Sequence, residues 1–88
     1  MSLQRRMVEE AMIEFLQSGK NVYIENGAAN DRILGYHVLT YKTHAWQSYM
    51  EENITFETSA CIFPRLVSLD DYEVDTEVFE GNLFVRVW

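Results

Sequence analysis

The chain has one cysteine, Cys61, so no intrachain disulfide can form. A lone thiol fits a reducing compartment. No apolar run approaches the roughly 20 residues that a membrane span needs. The stretch from Met1 to Glu14 is charged and helical in pattern, unlike a secretory signal. These absences predict a cytoplasmic protein with no membrane partner. Only two histidines occur, His37 and His44. Their separation is odd, so on one regular strand they would face opposite ways, one half-buried and one at the surface. Zinc needs more ligands at closer spacing. Neither a metal nor a cofactor is expected.

Catalytic signatures are equally sparse. Ser18-Gly19-Lys20 lacks the upstream glycine of a phosphate-binding loop and follows a helix pattern instead of a strand. There is no nucleophile elbow. Cys61 has no Cys-x-x-Cys partner and no adjacent base. Its neighbours Ala60, Ile62 and Phe63 predict a small buried side chain. No calcium-loop pattern accompanies the acids. No catalytic residue is assigned, and the expectation is a protein that is not an enzyme.

The 88 residues allow one domain, 1–88. A domain of this size buries only roughly 60–65% of the surface its unfolded chain exposes. Yet 48% of the residues are hydrophobic and 14% aromatic, more apolar surface than one small core can hide. Charge is uneven. Residues 1–50 carry five acids and five bases. The whole net charge of −7 lies in residues 51–88, where nine acids meet only Arg65 and Arg86. Such asymmetry bears on partners, not on fold.

Leu3, Met7, Ala11 and Phe15 recur every fourth residue, with Val8, Met12 and Leu16 widening the stripe. This predicts a helix from Leu3 to Gln17, with Ser2 as N-cap and Gly19-Lys20 as the stop. Five strands follow. Asn21–Glu25 is the first, ended by the turn-forming Asn26-Gly27. Ala28–Asp31 reads as a loosened loop, and Arg32–Thr43 as the second strand, with Gly35 marking a bend or bulge. His44–Asn53 fits a continuing strand, a loop or a helical turn. Ile54–Phe63 is the third strand, with Ile54, Phe56, Thr58, Ala60 and Ile62 on one face, and Pro64 ends it. Arg65–Asp71 reads as a connection. In Tyr72–Phe79, Glu73, Asp75 and Glu77 alternate with Tyr72, Val74, Thr76 and Val78 and form an acidic ladder. Glu80-Gly81-Asn82 is a tight turn. The last strand, Leu83–Trp88, is bulky on both faces, so a cover from another subunit is expected. The fold class is therefore α+β: an N-terminal helix (1–19) followed by a strongly bent five-stranded antiparallel sheet or small barrel (20–88).

Gly19-Lys20-Asn21-Val22-Tyr23-Ile24-Glu25-Asn26-Gly27, with Gly35 beyond it, resembles the first motif of the Sm-like family of small barrels. Phe79-Glu80-Gly81-Asn82-Leu83-Phe84-Val85-Arg86-Val87 resembles the second. Glu80 stands where that family usually carries an arginine that grips a base. The resemblance implies a homo-oligomeric ring that binds RNA or another single strand. Its subunits would join edge to edge through the last two strands, by Val78, Leu83, Phe84, Val85, Arg86 and Trp88. It also implies a nucleic-acid surface near the second-to-third strand connection and the Gly81-Asn82 turn. Tyr41, Lys42, His44 and Trp46 mix aromatic, basic and hydrogen-bonding groups that can stack and hold bases. A rival reading needs no family. Asp70, Asp71, Glu73, Asp75, Glu77 and Glu80 oppose only Arg86 in residues 70–88. That surface suits an acidic interaction or inhibitor module, of the phage-modulator type, that meets a basic protein or mimics nucleic acid.

Overall fold

The spacing of apolar side chains makes α1 (Leu3–Gln17) helical and also sets which face it buries. In the computed structural model, which describes residues 3–88, Val8 and Met12 point into the core and Met7 stays exposed. The buried stripe is thus turned one position from the expected Met7 line. Ser2, the expected N-cap, lies outside the described residues. The helix stops at Gly19, φ +74. There the Gly19 amide donates to the Leu16 carbonyl (3.1 Å) and the Lys20 amide to Phe15 (3.0 Å), a Schellman closure.

Six strands follow: β1 (Val22–Asn26), β2 (Ala29–Tyr41), β3 (Glu51–Thr58), β4 (Leu66–Val67), β5 (Val74–Phe79) and β6 (Asn82–Val87). A short 3-10 turn, Leu69–Asp71, separates β4 from β5. The sheet order is β4-β3-β2-β1-β6-β5. Every pairing is antiparallel except β1 with β6, where Val22 runs beside Leu83 and Ile24 beside Val85. The sheet is mixed and does not close. The expectation of five antiparallel strands or a barrel is corrected to six strands in an open, mixed sheet.

The extra strand has a clear cause. β3 ends at Thr58, short of the expected Phe63, because the chain folds back at Ser59–Pro64. The Thr58 hydroxyl donates to the Pro64 carbonyl and the Thr58 amide to Arg65, both at 2.8 Å. The returning chain then lies along β3 as β4, where a plain connection was expected. At the other turn, Gly27 takes φ +66 and Asn26 pairs with Ala29. A left-handed first loop residue suits a two-residue hairpin. β2 therefore begins at Ala29, so Ala28 stays in the turn and the rest of the expected loop Ala28–Asp31 becomes strand. The ambiguous stretch resolves into a loop, 42–50, and the start of β3 at Glu51.

Two features shape the molecule. The outermost strands, β4 and β5, are joined by only Ser68–Glu73. Flat, their separation would be about 24 Å at ~4.8 Å per strand. A link containing a 3-10 turn, rising ~2 Å per residue there, falls short of that span. The sheet must curl, and α1 lies against its inner face with Met12, Val22, Ile24, Phe56, Leu69 and Val85 fully buried. The second feature is an arm. β1 pairs with β2 only through Arg32, and β3 pairs with it from Ile33 to Tyr41, after a bulge at Ile33/Gly35. The β2–β3 hairpin therefore runs on past the sheet, and the molecule measures 46 × 25 × 21 Å.

Candidate functional site

Alternation along three paired strands assembles one outer face, opposite α1. β1 supplies Tyr23 and Glu25, β6 supplies Phe84 and Arg86, and β5 supplies Asp75, Glu77 and Phe79. The register sets Tyr23, Phe84 and Glu77 in one row and Glu25, Arg86 and Asp75 in the next. The Tyr23 and Phe84 rings stack at 5.2 Å and 17°. Arg86 reaches Glu77 at 2.9 Å, Glu25 at 3.3 Å and Asp75 at 3.6 Å. Three carboxylates thus share one guanidinium, and the cluster keeps two net negative charges. Beside it lies an open recess of about 390 Å³ lined by Glu25, Glu77, Phe79 and Phe84. Two carboxylates and two aromatic rings there can take a cation, by charge-assisted hydrogen bonds and by the ring faces.

The expected nucleic-acid residues separate into two groups. Tyr41, Lys42, His44 and Trp46 gather at the tip of the β2–β3 arm, all exposed. His44 stacks on Trp46 at 5.0 Å and 6°. The buried Gln47 orders this loop, accepting from the His44 amide (3.3 Å) and donating to the Tyr49 carbonyl (3.1 Å). Gly81 and Asn82 lie elsewhere. They form the β5–β6 turn, where Glu80 and Gly81 take φ 52 and 79. Asn82 neighbours Leu83, which is level with Val22 and hence with Ile33 of β2. Tyr41 is eight residues farther along β2, about 26 Å at ~3.3 Å per residue.

The expected subunit-joining residues also divide. Val78 and Trp88 are exposed. Leu83 and Val85 are buried in the chain's own core, so they cannot meet another subunit. Phe84 is half-buried against Tyr23, and Arg86 belongs to the carboxylate cluster. β6 lies between β1 and β5 and has no free edge, which corrects the expectation that both of the last strands pair with neighbours. α1 covers its inner side; on its outer side Phe84 stacks beside Tyr23 and Trp88 stays exposed.

Cys61 is exposed, not buried, because it sits in the fold-back and not on a strand. His37 is exposed as well as His44, since its part of the arm has no cover. Among the described residues, no group of three His, Cys, Asp or Glu side chains could hold a metal, and no helix is long and apolar enough to cross a membrane.

Two buried carboxyls escaped sequence reasoning. Asp31, 1% exposed, is caged. Its Oδ1 accepts from the Ser59 hydroxyl (2.6 Å) and the Cys61 amide (2.7 Å), and its Oδ2 from the Ile62 (3.0 Å) and Phe63 (2.8 Å) amides. Burial pushes its pKa up, but these four donors outweigh that and hold the carboxyl well below the usual range. Glu9 is the opposite case. It is fully buried, and neither carboxylate oxygen finds a hydrogen-bond partner among the described residues. Burial, and next the charge of Asp70, raise its pKa. No local sequence signal marks either residue.

No family model, curated protein or solved structure matches this chain. Its function must therefore be argued from the geometry.

Proposed function

We propose that the chain is a non-enzymatic interaction module whose outer sheet face receives a lysine or arginine side chain of a partner protein. The observation that carries this is the convergence of Glu25, Glu77, Phe79 and Phe84 on one recess beside Arg86. Arg86 itself illustrates the chemistry, since these carboxylates already hold a guanidinium. A second cation would sit over Phe79 and Phe84 with Glu25 and Glu77 at its rim. The net charge of −7 would draw a basic partner from a distance and repel phosphate. The test is calorimetric titration with an arginine-rich peptide at low and high salt. Saturable, salt-weakened binding is expected. Glu77→Lys should weaken it about tenfold or more, close to the 1.4 kcal/mol of one charge-assisted contact, and Phe79→Ala about threefold, the scale of an exposed cation–π contact. Phe79 is exposed, so its loss spares the core. Equal binding by all three proteins would overturn the reading.

A second reading rests on the exposed His44–Trp46 stack beside Tyr41 and Lys42. These four side chains suit unpaired bases of RNA or DNA, and the Sm-like resemblance supports the same role in a homo-oligomeric ring. A U-rich oligonucleotide in the same titration should bind, and the Lys42→Ala/Trp46→Ala double variant should not. Unchanged binding by that variant would remove this site.

A further inference from the structure

An unpaired strand edge invites another strand, and proteins usually guard such edges with charge, proline or shortness. The free edges here follow that rule with one exception. β4 has only two residues. β5 carries Asp75 and Glu77. The arm portion of β3 beyond β4 begins with Glu51 and Glu52, and Arg6 reaches Glu52 at 2.8 Å. The edge of β2 that faces away from β3, from Leu34 to Tyr41, has none of these guards. Leu34-Gly35-Tyr36-His37-Val38-Leu39-Thr40-Tyr41 contains no Asp, Glu, Lys, Arg or Pro. β1 stops pairing at Arg32, and among the described residues no backbone hydrogen bond joins this segment to anything but β3. His37 through Tyr41 are all exposed, with Leu39 at 62%.

We propose that this edge pairs antiparallel with the same edge of a second copy, making a dimer with a continuous β3-β2-β2-β3 sheet. Charge selects the occupant. A chain of net charge −7 repels its own copy, and least so along a segment that carries no charge. A basic partner finds no carboxylate on this edge to pair with. An isologous contact uses both edges at once, so assembly ends at two subunits. Opposed residues in an antiparallel pair lie on the same face, so the two-fold axis passes beside a single residue. With Val38 beside its own copy, Tyr41 falls opposite Gly35, an aromatic covering an edge glycine. The two Leu39 side chains then lie diagonally across the axis, about 7–8 Å apart.

The test is sedimentation of the full chain from about 1 to about 500 µM, a range that brackets weak and firm dimers. A mass twice the 10.4 kDa chain is expected at the upper end. Leu39→Glu should weaken the dimer at least tenfold with an unchanged circular-dichroism spectrum, by setting like charges diagonally opposite. Mixing it with Leu39→Lys should restore the dimer, which a misfolded variant could not do. Glu77→Lys should leave the dimer intact, so this test and that of the basic-partner site fail separately. A monomer throughout, a mass above two chains, or a dimer indifferent to Leu39→Glu would overturn the proposal.

Discussion

Asp31→Asn is expected to lower the melting temperature by more than about 10 °C, at the several degrees per lost interaction usual for a domain of this size. Four donors converge on the carboxylate. Asparagine keeps one acceptor oxygen and turns an NH2 group toward amides that also donate, so two donors meet where one accepted. The fold-back of Ser59–Pro64 then loses its anchor, and β4 loses the turn that lays it on β3. The effect should depend on pH. The folded pKa of Asp31 lies below the ordinary value of 3.8. Its stabilisation is therefore fully present above that pH and fades as pH falls below it. Thermal unfolding of wild type and variant, followed from about pH 2 to 7, should give curves that converge toward the acid end. A constant gap across that range would mean that the ionised cage is not what holds the loop.

Glu9→Leu is expected to act in the other direction and stabilise the fold by about 1–3 kcal/mol, the usual cost of burying an unsatisfied polar group. Glu9 is fully enclosed and neither oxygen is bonded. It also shares its surroundings with Asp70. Leucine suits both the helix and an apolar site of similar volume. Arg5 keeps other partners, namely Asp70 at 3.7 Å and the Tyr72 carbonyl at 3.2 Å. Here the pH dependence reverses. The folded pKa is raised above the ordinary 4.5, so the folded state holds its proton longer than the unfolded chain. Stability is full below that pH and declines as pH rises through the folded pKa. Glu9→Gln should flatten that decline, and urea unfolding at several pH values measures it. A Glu9→Leu protein less stable than wild type at neutral pH would show that the carboxylate has a function in the fold.

These two carboxyls mark the limit of what alternation and periodicity reveal. The helix, its Gly19 stop, the β5 ladder and the Glu80-Gly81 turn were all legible, because each rests on contacts between near neighbours in sequence. Asp31 was not, since its partners stand some thirty residues away and it looks like any loop acid. β4 was hidden for the same reason: the Asp31 cage, with the bonds of Thr58 to Pro64 and Arg65, returns Leu66–Val67 to β3. The candidate site was half legible. The acids of β5 and the Phe84/Arg86 alternation could be read directly, but nothing local brings Tyr23 and Glu25 to them. Parallel pairing leaves no hairpin signature in sequence.

That same parallel pair governs how the chain finds its shape. Val22 meets Leu83 across about sixty intervening residues, so the sheet's centre closes only after most of the chain has been drawn in. Loop-closure entropy must be met before those contacts give anything back. The β2–β3 and β5–β6 hairpins are local and can form early, each with its bare edges in solution. β1, already paired with β2, has its other edge waiting for β6, and until β6 arrives the uncharged edge of β2 has company beside it. The interval before β1 and β6 meet is when this molecule is most exposed to pairing with the wrong strand.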